Sequence, residues 1–184
     1  MITPALAVSV AMAALASARA AHAMSLTSPD IQPGARIPDE YTFNGFGCSG
    51  KNVSPALSWS GAPEGAKSFA LTLYDPDAPT GSGFWHWVMF NIPADVTSLA
   101  KGAGDPKSHK APKGAVQSRN DFGMTGYGGP CPPKGHKPHR YQFTIFAVDT
   151  ERLDADEHAS GALVGFNLNF HTLAKATLTG VWGH

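Results

Sequence analysis

The sequence predicts a mostly β, mainly antiparallel domain with one or two short helices. Three observations carry that expectation. Twenty Gly and fifteen Pro in 184 residues punctuate the chain too often for long helices. Short apolar runs recur between these breaks, one with clean two-residue alternation. Only one stretch, near the end, has helical spacing. Hydrophobic residues make up 42% and charged residues 15%, which gives enough apolar mass for a core and excludes a disordered composition. The length suits one domain, drawn over residues 24–184.

Taken in order, residues 1–23 (MITPALAVSVAMAALASARAAHA) are small and apolar and end in Ala21-His22-Ala23. This resembles a secretory signal peptide and points to a periplasmic or secreted protein. No Lys or Arg precedes the apolar run, so the alternative is a start at Met24 and a cytoplasmic protein. Arg19 interrupts the run, which argues against a membrane span. Residues 24–66 are turn-rich, with strand-like pieces at Tyr41–Phe43 and Leu57–Trp59. Ser68–Tyr74 alternates, with Phe69, Leu71 and Leu73 on one face, and Asp75-Pro76 ends it. Trp85–Ile92 is apolar on both faces, as in the middle of a packed sheet. There, alternation puts His86 with Val88 and Phe90, and Trp85 with Trp87 on the opposite face.

Residues 101–138 carry eight Gly and six Pro with little periodicity, a long connection of the kind that is often functional. His139–Val148 (HRYQFTIFAV) follows as a clear strand. Leu163–Ala174 has helical spacing, with Leu163, Phe166, Phe170 and Leu173 apolar, and Ala176–Trp182 reads as a last strand.

The formal net charge is zero, so no global field for nucleic acid is expected and no nucleic-acid partner is inferred. Charge is uneven, however. Residues 101–140 hold eight Lys/Arg against two Asp, either a solvated loop or a rim that attracts a small anion. Cys48 and Cys131 each sit in a Gly/Pro-rich loop. An exported chain would pair them in one disulfide; two unpaired thiols is the other reading.

Candidate chemistry concentrates in two stretches. Asp75 and Asp77 lie at a strand end stiffened by Pro76 and Pro79. Such acids can orient a histidine, accept from a ligand or simply close a turn. His86 opens one strand and His139 another, and Gly128, Gly129, Pro132 and Pro133 precede His139. Imidazoles and backbone amides in a Gly/Pro-walled cup suit a phosphate or carboxylate. A metal held by Asp75, Asp77, His86 and His139 is a weaker reading, and no metal or cofactor is assigned. No GxSxG elbow, no P-loop, no HExxH and no GxGxxG opening a helix occurs.

The motifs DPDAP (75–79), VMFN (88–91), GGPCPPKGHKPHRY (128–141) and CSGKNVSP (48–55), with the final helix and strand, resemble the phosphatidylethanolamine-binding protein (Raf kinase inhibitor-like) family, bacterial branch. The resemblance spans Ser25 to Gly183. It implies a β-sandwich-like fold round a large antiparallel sheet. It also implies a small pocket for phosphate, acetate or a phospholipid headgroup, formed by Asp75, Pro79, His86, Gly129, Pro132, His139 and Tyr141 with Asp77 in support. In this reading His86 and His139 donate hydrogen bonds to the anion, and Asp75 orients one imidazole. The family further suggests a cis bond at Ala78-Pro79, and the resemblance admits a homodimer.

The expected function is therefore a non-enzymatic binding protein for small anionic or phosphorylated ligands. The alternatives are a kinase or protease inhibitor acting on a protein partner through the 101–138 loop, and a phosphoester hydrolase. The animal members' C-terminal helix, which flanks the pocket mouth, has no counterpart before the chain stops at His184, so kinase inhibition is not carried over.

Overall fold

A computed structural model describes residues 23–184; residues 1–22 of the expected leader lie outside the described residues. The elements are β1 (Ser25–Thr27), β2 (Asn44–Gly45), β3 (Cys48–Ser49), β4 (Leu57–Ser60), β5 (Ser68–Asp75), β6 (Phe84–Pro93), β7 (Ser98–Leu99), β8 (Val116–Gln117), β9 (His139–Val148), α1 (Gly161–His171) and β10 (Thr172–Trp182). Five strands form the main antiparallel sheet in the order β10-β9-β5-β6-β8. A three-stranded sheet, β1-β4-β7, covers one of its faces, β2 and β3 form a small hairpin, and α1 covers the other face. The mostly β class expected from composition and periodicity is the observed one, and the sandwich the resemblance implied is present.

The alternation in β5 works as read. Phe69, Leu71 and Leu73 face the small sheet, packing with Trp59, Leu57 and Leu26, while Ala70 faces α1 with Val88 and Phe90. Phe69 and Trp59 meet edge to face at 5.5 Å. Each fully buried large side chain of this kind stabilises the fold by roughly 1.5–3 kcal/mol. β5 and β9 are hydrogen-bonded on both sides, which fits their heavy apolar content.

The alternation in β6 breaks down twice. Phe69 pairs with Ile92 but Leu71 with Met89, so an extra residue sits in β6 near Asn91. Asn91 has φ +55° and its Oδ1 accepts from the Leu153 amide at 2.8 Å. Nearer the strand's start, Leu73 pairs with Trp87 and Tyr74 with Trp85, which leaves His86 as the extra residue of a second bulge. His86 is therefore not on the face of Val88 and Phe90. It turns to the side of Tyr141, while Trp85 packs with the α1-side cluster and Trp87 with the opposite core. Strict alternation cannot foresee this, because one inserted residue exchanges the faces of everything before it.

The Ser160 hydroxyl caps α1 by accepting from the Leu163 amide at 3.2 Å. The helix stops at His171, three residues before the expected end, and β10 begins directly. Its buried positions are Gly161, Val164 and Leu168. A Cβ at Gly161 would overlap the Trp85 indole, so only glycine lets the helix lie against that ring. Leu163, Phe166, Phe170 and Leu173, the apolar set read from the sequence, face solvent, with Phe166 59% and Phe170 69% exposed. GALVGFNLNFH is apolar on more than one side, so spacing alone does not choose the packed face. The 101–138 connection is mostly irregular, interrupted by a 3-10 turn at Pro106–Ser108 and by β8.

Candidate functional site

Because β5 runs antiparallel to both neighbours, its last residue lies beside the first residues of β6 and β9. That register brings Asp75, His86 and His139 to one end of the sheet. All three are buried, at 2%, 3% and 1% exposure. They line a cavity of about 430 Å³ together with Pro79 and Pro132 of the sequence-derived set.

His139 Nδ1–H donates to Asp75 Oδ2 at 2.7 Å, so the carboxylate fixes the ring's orientation and tautomer. The other Asp75 oxygen, Oδ1, accepts from the Asp77 amide at 2.8 Å. His136 Nδ1 lies 3.3 Å from His139 Nε2. In the tautomer that carries its proton on Nδ1, His139 Nε2 is the acceptor of this contact and His136 Nδ1–H the donor. Sequence reasoning gave His136 no role; its only signal was its place three residues before His139 in the same Gly/Pro loop.

His86 is held differently. Its Nδ1 lies 2.8 Å from the Gly128 carbonyl and 3.2 Å from that of Gly129, so Nδ1 must carry the proton. Burial pushes its pKa down to about 4, against the opposing pull of those carbonyls and of Asp75. Near neutral pH, His86 is uncharged and its Nε2 is an acceptor. In this form His86 presents an acceptor to the cavity where the resemblance implied a donor, because desolvation outweighs the local negative charge.

The remaining expected residues sit around this centre rather than in the cavity wall. Gly129 lies behind His86, where a Cβ would overlap the Tyr41 carbonyl. Its glycine thus serves close packing against Tyr41–Phe43 as well as the carbonyl that holds His86. Tyr141 is fully buried, edge-on to His86 at 5.2 Å, and its hydroxyl has no hydrogen-bond partner. Burial, reinforced by Asp75, raises its phenol pKa and keeps it neutral. Asp77 is bound by Arg140, whose Nε, Nη2 and backbone amide donate at 2.8–2.9 Å and hold its carboxyl well below the usual range. It is a strut between the β5 end and the β9 start. Among the described residues there is no cis peptide bond, so the cis form suggested for Ala78-Pro79 is not adopted.

The cavity wall also includes residues the sequence did not single out: Phe46, Phe84, Phe122 and Asp121. Phe122 stacks on Phe43 at 4.1 Å and meets Phe84 at 4.7 Å and His86 at 5.3 Å. Phe46, 81% exposed at the tip of the β2-β3 hairpin, extends this aromatic wall to the mouth. Cys48 and Cys131 form a disulfide that ties the hairpin to the Pro130–Pro133 wall. Of the two readings of these cysteines, pairing is the observed one. None of the eight basic residues of 101–140 lines this cavity.

The chain matches the phosphatidylethanolamine-binding protein family over residues 27–183. It is 53% identical over 175 residues to the UPF0098 protein YbcL of Escherichia coli K12, covering 95% of this chain and 96% of that one. It is also 53% identical over 159 residues to the UPF0098 protein YbhB of the same strain, covering 86% and 99%. The crystal structure of E. coli YbcL, described as a new member of the mammalian family, superposes with a TM-score of 0.86 at 55% identity, covering 88% of this chain and 98% of that one. A homologue from Chlamydia trachomatis gives 0.73 at 34% identity, with coverages of 88% and 98%.

Proposed function

Because this chain belongs to the phosphatidylethanolamine-binding protein family, we propose that it is a non-catalytic binding protein whose 430 Å³ cavity takes a small phosphate- or carboxylate-bearing ligand. The observation that carries this reading is the pair of buried imidazoles with opposite roles. A bound anion displaces His136 from His139 Nε2, and His139, held by Asp75, takes up a proton and donates to it. Neutral His86 accepts from a ligand proton, such as the P–OH of a singly protonated phosphate or the ammonium of phosphoethanolamine. The aromatic wall of Phe46, Phe84 and Phe122 suits a ligand with an apolar stem. Thr80 is the cavity's hydroxyl, and the Cys131 sulfur is tied in the disulfide. Neither hydroxyl nor sulfur is hydrogen-bonded to a histidine base, which favours binding over turnover.

Titration of the full chain with inorganic phosphate and with phosphoethanolamine tests this. The ring nitrogen signals of His86 and His139 should both move, and His139→Ala should abolish binding. Ring signals that stay fixed at saturating ligand would refute the proposal.

A further inference from the structure

The lysines missing from the histidine cavity gather elsewhere. Lys51, Lys101, Lys107 and Lys110 line a second cavity of about 810 Å³, against one carboxylate, Asp105. That carboxylate is engaged: its Oδ1 accepts from the Lys107 amide at 2.9 Å. Lys101 is paired with Glu40 and donates to the Tyr41 hydroxyl at 3.1 Å, and Lys110 Nζ donates to the Lys101 carbonyl at 3.2 Å. Among the described residues Lys51 and Lys107 have no carboxylate partner.

The scaffold under these side chains is fixed by backbone contacts. Ser54 accepts from the Gly102 amide through its carbonyl at 2.9 Å and from the Gly104 amide through its hydroxyl at 2.8 Å. The Tyr127 amide donates to the Gly104 carbonyl at 2.9 Å. A Cβ at Gly104 would overlap Tyr127 and Ser54, so the floor is packed as tightly as glycine allows. Set against Asp105 and the Glu40 that pairs Lys101, the four ammonium groups (+4 − 2) leave this concavity a net +2 that the chain's zero net charge hides.

We propose that this lysine-lined groove is a second ligand site, one that takes a compound carrying two or more phosphates. A cavity of about 810 Å³ with four lysines in its wall has room and donors for more than one phosphate, and a chain or cluster of phosphates uses them together. A nucleic acid is disfavoured because the groove offers no exposed ring on which a base could stack, Tyr127 being buried. The two cavities share no lining residue, so the proposal stands apart from the reading of the histidine cavity. They are neighbours nonetheless. The Asn52 amide spans them, donating to the Tyr127 carbonyl at 3.1 Å and accepting from the Gly129 amide at 2.7 Å.

The test uses the full chain with two probes: tripolyphosphate by calorimetry, and phosphatidylcholine vesicles with and without phosphatidylinositol bisphosphate by flotation. Binding to either probe should weaken as salt rises, and should fall by about tenfold or more in Lys51→Gln/Lys107→Gln/Lys110→Gln. It should persist in the matching triple Arg variant, which keeps the charge, and in His139→Ala, which removes the other cavity's donor. Binding of tripolyphosphate alone identifies a soluble ligand, and binding of vesicles identifies a membrane-borne one. No binding to either probe, a triple Gln variant within about twofold of the parent, or loss of binding in His139→Ala would each overturn the proposal.

Discussion

Replacing Asp75 separates the two things its carboxylate does. Its oxygens accept from two donors, His139 Nδ1–H at 2.7 Å and the Asp77 amide at 2.8 Å. The Asp75 and His139 side chains are only 3% and 2% exposed. Asp75→Ala strands both donors in a site that water barely reaches. Each hydrogen bond to a charged acceptor contributes about 1.5–3 kcal/mol, and breaking a buried pair by removing one partner costs about 3–5 kcal/mol. We expect a loss of about 3–5 kcal/mol, or a melting temperature lower by on the order of 10 °C for a chain of this size. Asp75→Asn keeps the shape but turns one acceptor into a donor. It can satisfy both neighbours only if His139 moves its proton from Nδ1 to Nε2, so its cost should be smaller, about 1–2 kcal/mol. Denaturant unfolding gives the energies, and ring nitrogen-15 shifts give the tautomer. An Asp75→Ala loss below about 1 kcal/mol, or an Asn variant whose His139 keeps its Nδ1 proton, would refute this account of the dyad.

Three further outcomes follow from the same structure. His86 has a folded pKa near 4 against 6.5 for the ordinary group, so the unfolded chain takes its proton first. Its contribution is complete above pH 6.5 and is lost as pH falls toward 4, by about 3 kcal/mol in all; unfolding free energies across that window should show the slope, and His86→Phe should flatten it. The disulfide joins residues 83 apart, and Cys48→Ala/Cys131→Ala should lower stability by about 2–4 kcal/mol in guanidinium unfolding. On α1, Leu168→Ala should cost about 2–4 kcal/mol, whereas Phe166→Ser and Phe170→Ser should each stay within about 0.5 kcal/mol; thermal melts showing the reverse would contradict the packed face assigned to the helix.

Much of the candidate site was legible in the sequence because its parts lie at strand ends. Asp75, Pro79, His86, Pro132 and His139 all border one cavity, and each stands where an apolar run meets Gly or Pro. The roles were less legible. Asp77 looked like a second pocket acid, but the arginine that occupies it lies 63 residues away. Phe46 and Phe122 looked like ordinary loop residues until the disulfide and the stacked rings joined the hairpin to the wall. The basic stretch could be counted in the sequence, but which side of the Gly128-Gly129 segment it faced could not.

Composition, strand periodicity and the Gly/Pro punctuation were enough to determine a β-rich fold, its main strands and the residues at its working end, since these depend on near neighbours in the chain. Tertiary structure alone decided three things. A single bulged residue turned His86 toward Tyr141. Burial against Gly128 and Gly129 made that histidine an acceptor. Packing against Trp85 chose which apolar side of α1 would be covered. Each depends on desolvation or register between segments far apart in sequence, and local pattern carries no information about either.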